Sequence, residues 1–316
     1  MKKNRTKEGE PMRIGIVGGG AVGLLYAFQL SKVFTVTLYV KRDEALQTIK
    51  NQGITISHND QKKETRNVNV MKWESDVPLK DDLIIVATKQ YGLFEILPVL
   101  EMCTKDQSIL FLQNGMSHID MLAHISHAEI LLGIVEHGVK KNNDCTIMWT
   151  GKGRTKLAGY PETQADLHAS PYINKWMDTI GLDFPIEVCE DFYEMMMKKL
   201  LVNAIINPLT AIFDVRNGEL LTNPYFQKCM KQLYNEINFL VQVEKREEVW
   251  NHICSICEKT ADNISSMKRD INEGRQTEVD AILGFVMNLA KKQGKSVPLT
   301  EFIYEAVKGL QNNASC

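Results

Sequence analysis

Six residues near the amino terminus, Gly18-Gly19-Gly20-Ala21-Val22-Gly23, restrict the fold more than any other stretch of the chain. They read G-x-G-x-x-G, follow a short β-branched run from Met12 to Val17, and open an apolar segment, Ala21 to Leu30, with the composition of a buried helix. At a strand-to-helix join the first glycine permits a tight turn, the second lets backbone approach a pyrophosphate, and the third lets helix and strand pack closely. The helix N-terminal N–H groups then face the anion. All six are candidate cofactor-binding residues. Five glycines interrupt the uncharged run from Ile14 to Ser31 and no small-residue cleavage pattern closes it, so the run reads as strand-turn-helix rather than signal peptide or membrane anchor.

The remaining apolar pattern extends this unit into an α/β domain. A second strand is expected over Thr35 to Val40 and a helix over Arg42 to Asn51; Gly53 to Trp73, with Asn59-Asp60 inside it, suggests small antiparallel strands. Core strands return at Leu83 to Ala87, Ser108 to Leu112 and Ile130 to Val135, separated by candidate helices, which predicts a parallel, doubly wound, Rossmann-type sheet. His137 to Tyr160 reads as an antiparallel extension of that sheet, and Gln164 to Ile180 as one more helix. Beyond Pro185-Ile-Glu-Val-Cys the strand signal disappears, and apolar spacing of helical period runs to the end, broken by Pro208, Pro224 and Pro298. The expected organisation is a polar, disordered extension over 1–11, a dinucleotide-binding domain over 12–190 and an all-helical domain over 191–316.

Composition narrows the function classes. Thirty-seven basic against 39 acidic residues give a net charge of −2, so no overall field draws the chain to nucleic acid or an anionic membrane. Seven scattered cysteines, an odd number, do not form a disulfide framework and fit a reducing cytoplasm. Cys254-Ser-Ile-Cys257 lacks a second such pair and reads as helix; His118, His124 and His127 have no matching carboxylate or thiol set, so no metal site is expected.

The end of the second strand bears on the nucleotide. Sites for NAD place an acid there for the ribose 2′-hydroxyl, whereas Val40-Lys41-Arg42-Asp43 offers two cations. A hydrogen bond to a charged group contributes about 1.5–3 kcal/mol, so Lys41 and Arg42 predict at least a tenfold preference for NADPH. Asp43 is expected as the N-cap of the next helix. Lys89 and Asn114, the latter followed by Gly115, each come just after a core strand, where open α/β sheets collect ligands, and are further cofactor candidates.

In the helical half, Lys199, Asn203 and Asn207 recur every four residues among apolar neighbours and share one helical stripe. Buried amides and a lysine need partners, and a cleft holding a polar ligand supplies them; a solvent-facing stripe with a snorkelling lysine is the alternative. Pro208 is expected to bend or restart the helix at Asn207.

The glycine turn, Thr88-Lys89, Gln113-Asn114-Gly115-Met116, Lys199-Leu-Leu-Val-Asn203-Ala-Ile-Ile-Asn207-Pro-Leu-Thr-Ala, Asn217-Gly-Glu-Leu, and Asn263-Ile-Ser-Ser266-Met with Thr277-Glu278-Val-Asp280 together resemble the ketopantoate reductase (2-dehydropantoate 2-reductase) family of the 6-phosphogluconate-dehydrogenase-like superfamily. The resemblance covers nearly the whole chain after residue 11. It implies NADPH-dependent reduction of a small 2-keto acid, 2-dehydropantoate, with Lys199 as general acid assisted by Glu278. Asn203, Asn207, Asn217, Asn263 and Ser266 would hold the substrate. A homodimer is a further expectation. Reduction of a different 2-keto acid, or an NADP-binding sensor without turnover, are the alternatives.

Overall fold

A computed structural model describes residues 12–58, 63–160 and 167–313. The extension expected over 1–11, the Asn59-Asp60 turn and the start of the helix expected from Gln164 lie outside these residues.

The chain divides into two compact units, one comprising residues 1–113 and 120–195, the other residues 114–119 and 196–316. In the first, β1 (Arg13–Val17), α1 (Ala21–Leu30), β2 (Thr35–Val40) and α2 (Asp43–Gln52) follow in order. They are followed by β3 (Ile54–His58), β4 (Lys63–Arg66), β5 (Asn69–Lys72), β6 (Leu83–Val86), α3 (Leu93–Glu101) and β7 (Ser108–Phe111). The short α4 (Ile119–Leu122) precedes β8 (Glu129–Val135), β9 (Gly138–Lys141), β10 (Thr146–Gly151), β11 (Thr155–Tyr160), α5 (Pro171–Ile180) and β12 (Ile186–Val188). The main sheet has the order β12-β11-β8-β7-β6-β1-β2-β5. Strands β5, β2, β1, β6, β7 and β8 are parallel, with Ile16 opposite Leu38 on one side and Ile85 on the other, and β11 runs antiparallel to β8. Chain direction around the sheet reverses at β1, between β2 and β6, so the carboxyl ends of β1 and β6 flank the switch point.

Two sheet expectations are corrected. Of the strands after Gly53, β3 and β4 do pair antiparallel, but β5 joins the main sheet, parallel to β2 at its edge. Of the stretch from His137 to Tyr160, only β11 extends the main sheet; β9 and β10 belong to a second sheet of order β4-β3-β10-β9. The physical reason lies in α1. All residues from Gly23 to Leu30 are buried, so the helix is apolar around its circumference and needs cover on more than one side. The main sheet covers one face, and alternate residues of the small sheet, Ile54, Ile56, Ile147 and Trp149, join the same core from the other. Within that core the Tyr26 hydroxyl is paired with Thr155, and its ring packs edge-on against Trp176 and Phe184. The last helix of the unit begins at Pro171 rather than Gln164.

The second unit is helical. It is built on α6 (Phe192–Phe213), with α7 (Glu219–Thr222), α8 (Pro224–Ile237), α9 (Arg246–Lys259), α10 (Ser266–Asn272), a π-helical turn over Asp280–Gly284, α11 (Phe285–Lys292) and α12 (Pro298–Asn313). Helix α6 is long and apolar enough to cross a membrane, but 78% of its apolar window is buried by protein, the condition of a core helix. It runs without a restart through Pro208, correcting the expected break; the ring leaves the Ala204 carbonyl without its intrahelical donor, and the helix continues because its faces are packed. It ends at Asp214, whose φ of 56° is left-handed and whose carboxylate lies 2.9 Å from the buried Lys268 ammonium. At α12, Glu236 accepts from the N–H groups of Leu299 and Thr300 at 2.9 and 2.8 Å and from the Thr300 hydroxyl, capping the helix N-terminus.

One core residue makes the first unit acid-sensitive. His137 is buried, stacks on Phe184 with ring centroids 4.6 Å apart, and accepts a hydrogen bond from the Gly153 N–H through Nδ1. Burial, aided by the Lys152 charge, pushes its pKa down to about 4, so the native protein holds it neutral. Above the unfolded pKa near 6.5 neither state binds the proton; below it the unfolded chain does and the native chain does not. Stability should therefore decline as pH falls from about 6.5 towards 4. His137→Gln should make that decline shallower in thermal melts recorded across the window, the remainder coming from His118, which is fully buried in the second unit with its pKa also pushed down to about 4; an unchanged slope would contradict the assignment.

Candidate functional site

The first unit carries the glycine turn. Gly18 has φ of +119°, and a Cβ there would meet the Thr88 nitrogen at 2.9 Å. A Cβ on Gly23 would fall 1.9 Å from the Gly18 carbonyl oxygen, so only glycine allows α1 to start against the strand end. At Gly20 the nearest neighbour of such an atom is 4.0 Å away, leaving the turn open where backbone would meet a ligand. Strain at the first position, contact at the last and space between them fit a dinucleotide pyrophosphate held by the turn's backbone.

The ends of neighbouring strands border this turn. Thr88 and Lys89 follow β6, and Lys89 is half-buried. The buried Gln113 after β7 donates through Nε2 to the carbonyls of Val86 and Thr88, both at 3.0 Å, and so fixes the end of β6. After β2 the two cations diverge. Lys41 is exposed and donates to Glu95 of α3 at 2.6 Å, whereas the Arg42 guanidinium pairs with Asp144. Asp43 is corrected from N-cap to first residue of α2: Arg42 occupies the cap position without a side-chain bond, and the Asp43 carboxylate accepts from Lys72 instead. Lys141 was not among the sequence candidates. Its ammonium donates to the Gly19 carbonyl at 2.8 Å, a proximity that no local motif announces and that only the second sheet creates.

The second unit carries the polar stripe. Lys198 and Lys199 separate on α6: Lys198 reaches Glu248 of α9 at 3.5 Å, and half-buried Lys199 shares the stripe with Asn203 and Asn207, 7% and 8% exposed. The structure brings Asn207 and Ser266 together, with the amide nitrogen 3.4 Å from the exposed Ser266 hydroxyl. Thr210 lies 2.8 Å from Ser265, which caps α10 and thereby sets Ser266 at its first turn. Asn217 is buried and ties the turn after α6 to the loop before α10, donating to Thr260 at 2.9 Å while its backbone N–H donates to the Asn263 carbonyl. Asn263 itself is exposed.

Asn114 and Glu278, assigned to different roles from sequence, are directly joined: the Asn114 amide donates to the Glu278 carboxylate at 3.0 Å. Gly115, with φ of +80°, makes this approach possible, since a Cβ would lie 2.4 Å from the Ala281 carbonyl oxygen in the π-helical turn. Thr277, beside Glu278, is held by Gln311 at 2.9 Å. Single π-helical turns within helices are frequent at functional positions.

A Rossmann-type glycine turn in one unit and a lysine and amide stripe in a helical second unit define the class: a two-unit dinucleotide-dependent oxidoreductase. Two family models match the chain, "Ketopantoate reductase PanE/ApbA" over residues 14–162 and "Ketopantoate reductase PanE/ApbA C terminal" over residues 191–311, and the chain belongs to the ketopantoate reductase family. It is similar to the 2-dehydropantoate 2-reductase of Bacillus subtilis, 38% identical over 96% of this chain and 99% of that protein. Among solved structures it is similar to the probable 2-dehydropantoate 2-reductase of Bacillus subtilis, with TM-score 0.81 and 36% identity over 95% of this chain and all of that one. It is also similar to a D-mandelate dehydrogenase bound to NADH and anilino(oxo)acetate, with TM-score 0.83 and 25% identity over 96% of this chain and 100% of that one.

The Gly115 contact generates a test. Gly115→Ala should force the 114–119 loop off the π-helical turn, lengthen the Asn114–Glu278 bond and cost about 1–3 kcal/mol of stability. Urea denaturation read by circular dichroism measures this, and stability equal to the parent protein would show that the loop accommodates a methyl group.

Proposed function

We propose that this chain catalyses the NADPH-dependent reduction of 2-dehydropantoate to pantoate, a step of pantothenate and coenzyme A biosynthesis. The observation that carries the reading is the stripe on α6, where Lys199, Asn203 and Asn207 keep the family's spacing while Lys198 is turned towards Glu248. Both units match the corresponding family models, and a relative at 38% identity is a 2-dehydropantoate 2-reductase.

In this reading the backbone of Gly18 to Gly23, together with Lys89, holds the dinucleotide, and Arg42 faces its 2′-phosphate. When bound, reduced nicotinamide supplies the hydride that the carbonyl carbon accepts. Lysine is protonated at neutral pH, so Lys199 hydrogen-bonds the ketone oxygen, stabilises negative charge developing there and transfers a proton to it, leaving a hydroxyl. Asn203, Asn207, Asn263 and Ser266 offer N–H and O–H donors to the substrate carboxylate and hydroxyl. Glu278, held by Asn114, orients the lysine or the substrate hydroxyl. Asn217 acts from behind this set by fixing the 260–263 loop.

A second reading, reduction of another small 2-keto acid, is favoured by the likeness to D-mandelate dehydrogenase, whose bound anilino(oxo)acetate is itself a 2-oxo acid derivative. The retained lysine, amides and glutamate speak against a sensor without turnover. A cytoplasmic homodimer completes the proposal.

Lys199→Ala should lower kcat about 10²–10⁴-fold. NADPH affinity should hold within about threefold, and Lys198→Ala should leave kcat nearly unchanged. Turnover followed by nicotinamide absorbance, with 2-dehydropantoate and a panel of 2-keto acids, checks both the role and the substrate. Loss of activity in the Lys198 variant but not the Lys199 variant would reverse the assignment.

A further inference from the structure

The β9–β10 hairpin brings a second cation to the nucleotide turn. Lys141, the last residue of β9, donates to the Gly19 carbonyl at 2.8 Å and lies 3.1 Å from Asp144 Oδ1, the same oxygen that takes the Arg42 guanidinium. The hairpin end is rigid: the Asn143 side chain accepts from the N–H groups of Cys145 and Thr146, and the backbone N–H of Asn142 donates to Thr146. Gly19 in turn sits on the end of β2, where a Cβ would meet Val40 at 3.0 Å, and the Gly18 N–H donates to Tyr39. The first turn, the end of β2 and the hairpin thus share one cradle at the edge of the pyrophosphate site.

Two cations on one carboxylate leave a net positive charge of one, whereas Lys41 is paired one-to-one with Glu95. A phosphate monoester dianion on the adenosine ribose is the group that such a pair accommodates, since it offers oxygens to both the guanidinium and the ammonium. We propose that Arg42 and Lys141, rather than Lys41, form the 2′-phosphate clamp, and that Lys141 is a specificity-determining residue for NADPH over NADH. The inference rests on the NADPH reading above. Lys141 is only 28% exposed and is already held by two acceptors, so little conformational freedom remains to be lost on binding; Lys41, 71% exposed, is held by one exposed acceptor, Glu95.

The test is binding rather than turnover: calorimetric affinities of adenosine 2′,5′-bisphosphate and adenosine 5′-monophosphate for the full-length protein. The parent protein should prefer the bisphosphate at least tenfold. Lys141→Ala should reduce that preference about 10–100-fold by weakening only the bisphosphate, as expected for loss of one charge-assisted contact. Lys141→Gln, which keeps a donor for Gly19 but removes the charge, should behave likewise; Lys141→Arg should restore most of the preference, and Lys41→Ala should keep it within threefold. Equal weakening of both ligands would mean that Lys141 only braces the turn, and a preference abolished in Lys41→Ala but kept in Lys141→Gln would place the clamp at Lys41. Either result overturns the inference and leaves the NADPH reading standing. Absence of any preference in the parent protein would overturn the NADPH reading itself.

Discussion

Contact between α1 and the Gly18 carbonyl is the constraint on which the first unit depends. With no side chain at Gly23 the helix starts against the strand end, and its whole length from Gly23 to Leu30 is driven into the core. A helix buried on every side cannot be served by one sheet face, so the small sheet of β4, β3, β10 and β9 is recruited as a second cover. Nucleotide geometry and core packing therefore have a common origin. The turn that opens backbone to an anion is the same turn that commits α1 to burial, and burial of α1 is what draws the β9–β10 hairpin towards the turn.

In the second unit the governing constraint is the placement of polar groups within an apolar helix. Asn207 and Asn217 are both nearly inaccessible, but their partners differ in kind. Asn217 is bound to Thr260 inside the protein and contributes to the fold of the loop. Asn207 donates through its side-chain nitrogen to the Ser266 hydroxyl at 3.4 Å, on an exposed residue at the start of α10, so this contact lies at the rim of the unit rather than inside it. Leaving a buried amide oxygen without a partner costs of the order of 1–3 kcal/mol, and in this unit that cost falls on Asn217 Oδ1, which the Thr260 contact and the surrounding loop have to offset.

Local elements were legible because their signals are local. Helix α1 and strand β2 have the bounds that their apolar runs imply, and the lysine-asparagine register on α6 follows from spacing alone. What escaped was pairing between distant segments. Strands β9, β10 and β11 have similar compositions, and nothing within them says which sheet each will join; that choice follows from how much of α1 remains to be covered. Asp43 was misplaced by one position for a related reason: capping propensity favoured it, and a partner distant in sequence, Lys72 at the end of β5, claimed its carboxylate. Pro208 was read as a break because an isolated helix would break there, whereas packing on both sides of α6 holds the helix through the lost hydrogen bond.

The same distinction explains why a cationic motif read in sequence need not act as a unit. Lys41 and Arg42 are adjacent, but an extended strand end sends successive side chains to opposite sides, and their acidic partners lie on different elements, Glu95 on α3 and Asp144 in the hairpin. Asp144 shows the consequence electrostatically. Partial burial alone would raise its pKa, but the hydrogen bond and charge of Lys141, with the charge of Arg42, outweigh burial and hold it below the usual carboxylate range. The acid thus stays ionised at neutral pH and keeps two cations from separate segments on one oxygen. Charge at the turn is consequently a property of the sheet that covers α1, and a basic pair at the end of β2 is only half of it.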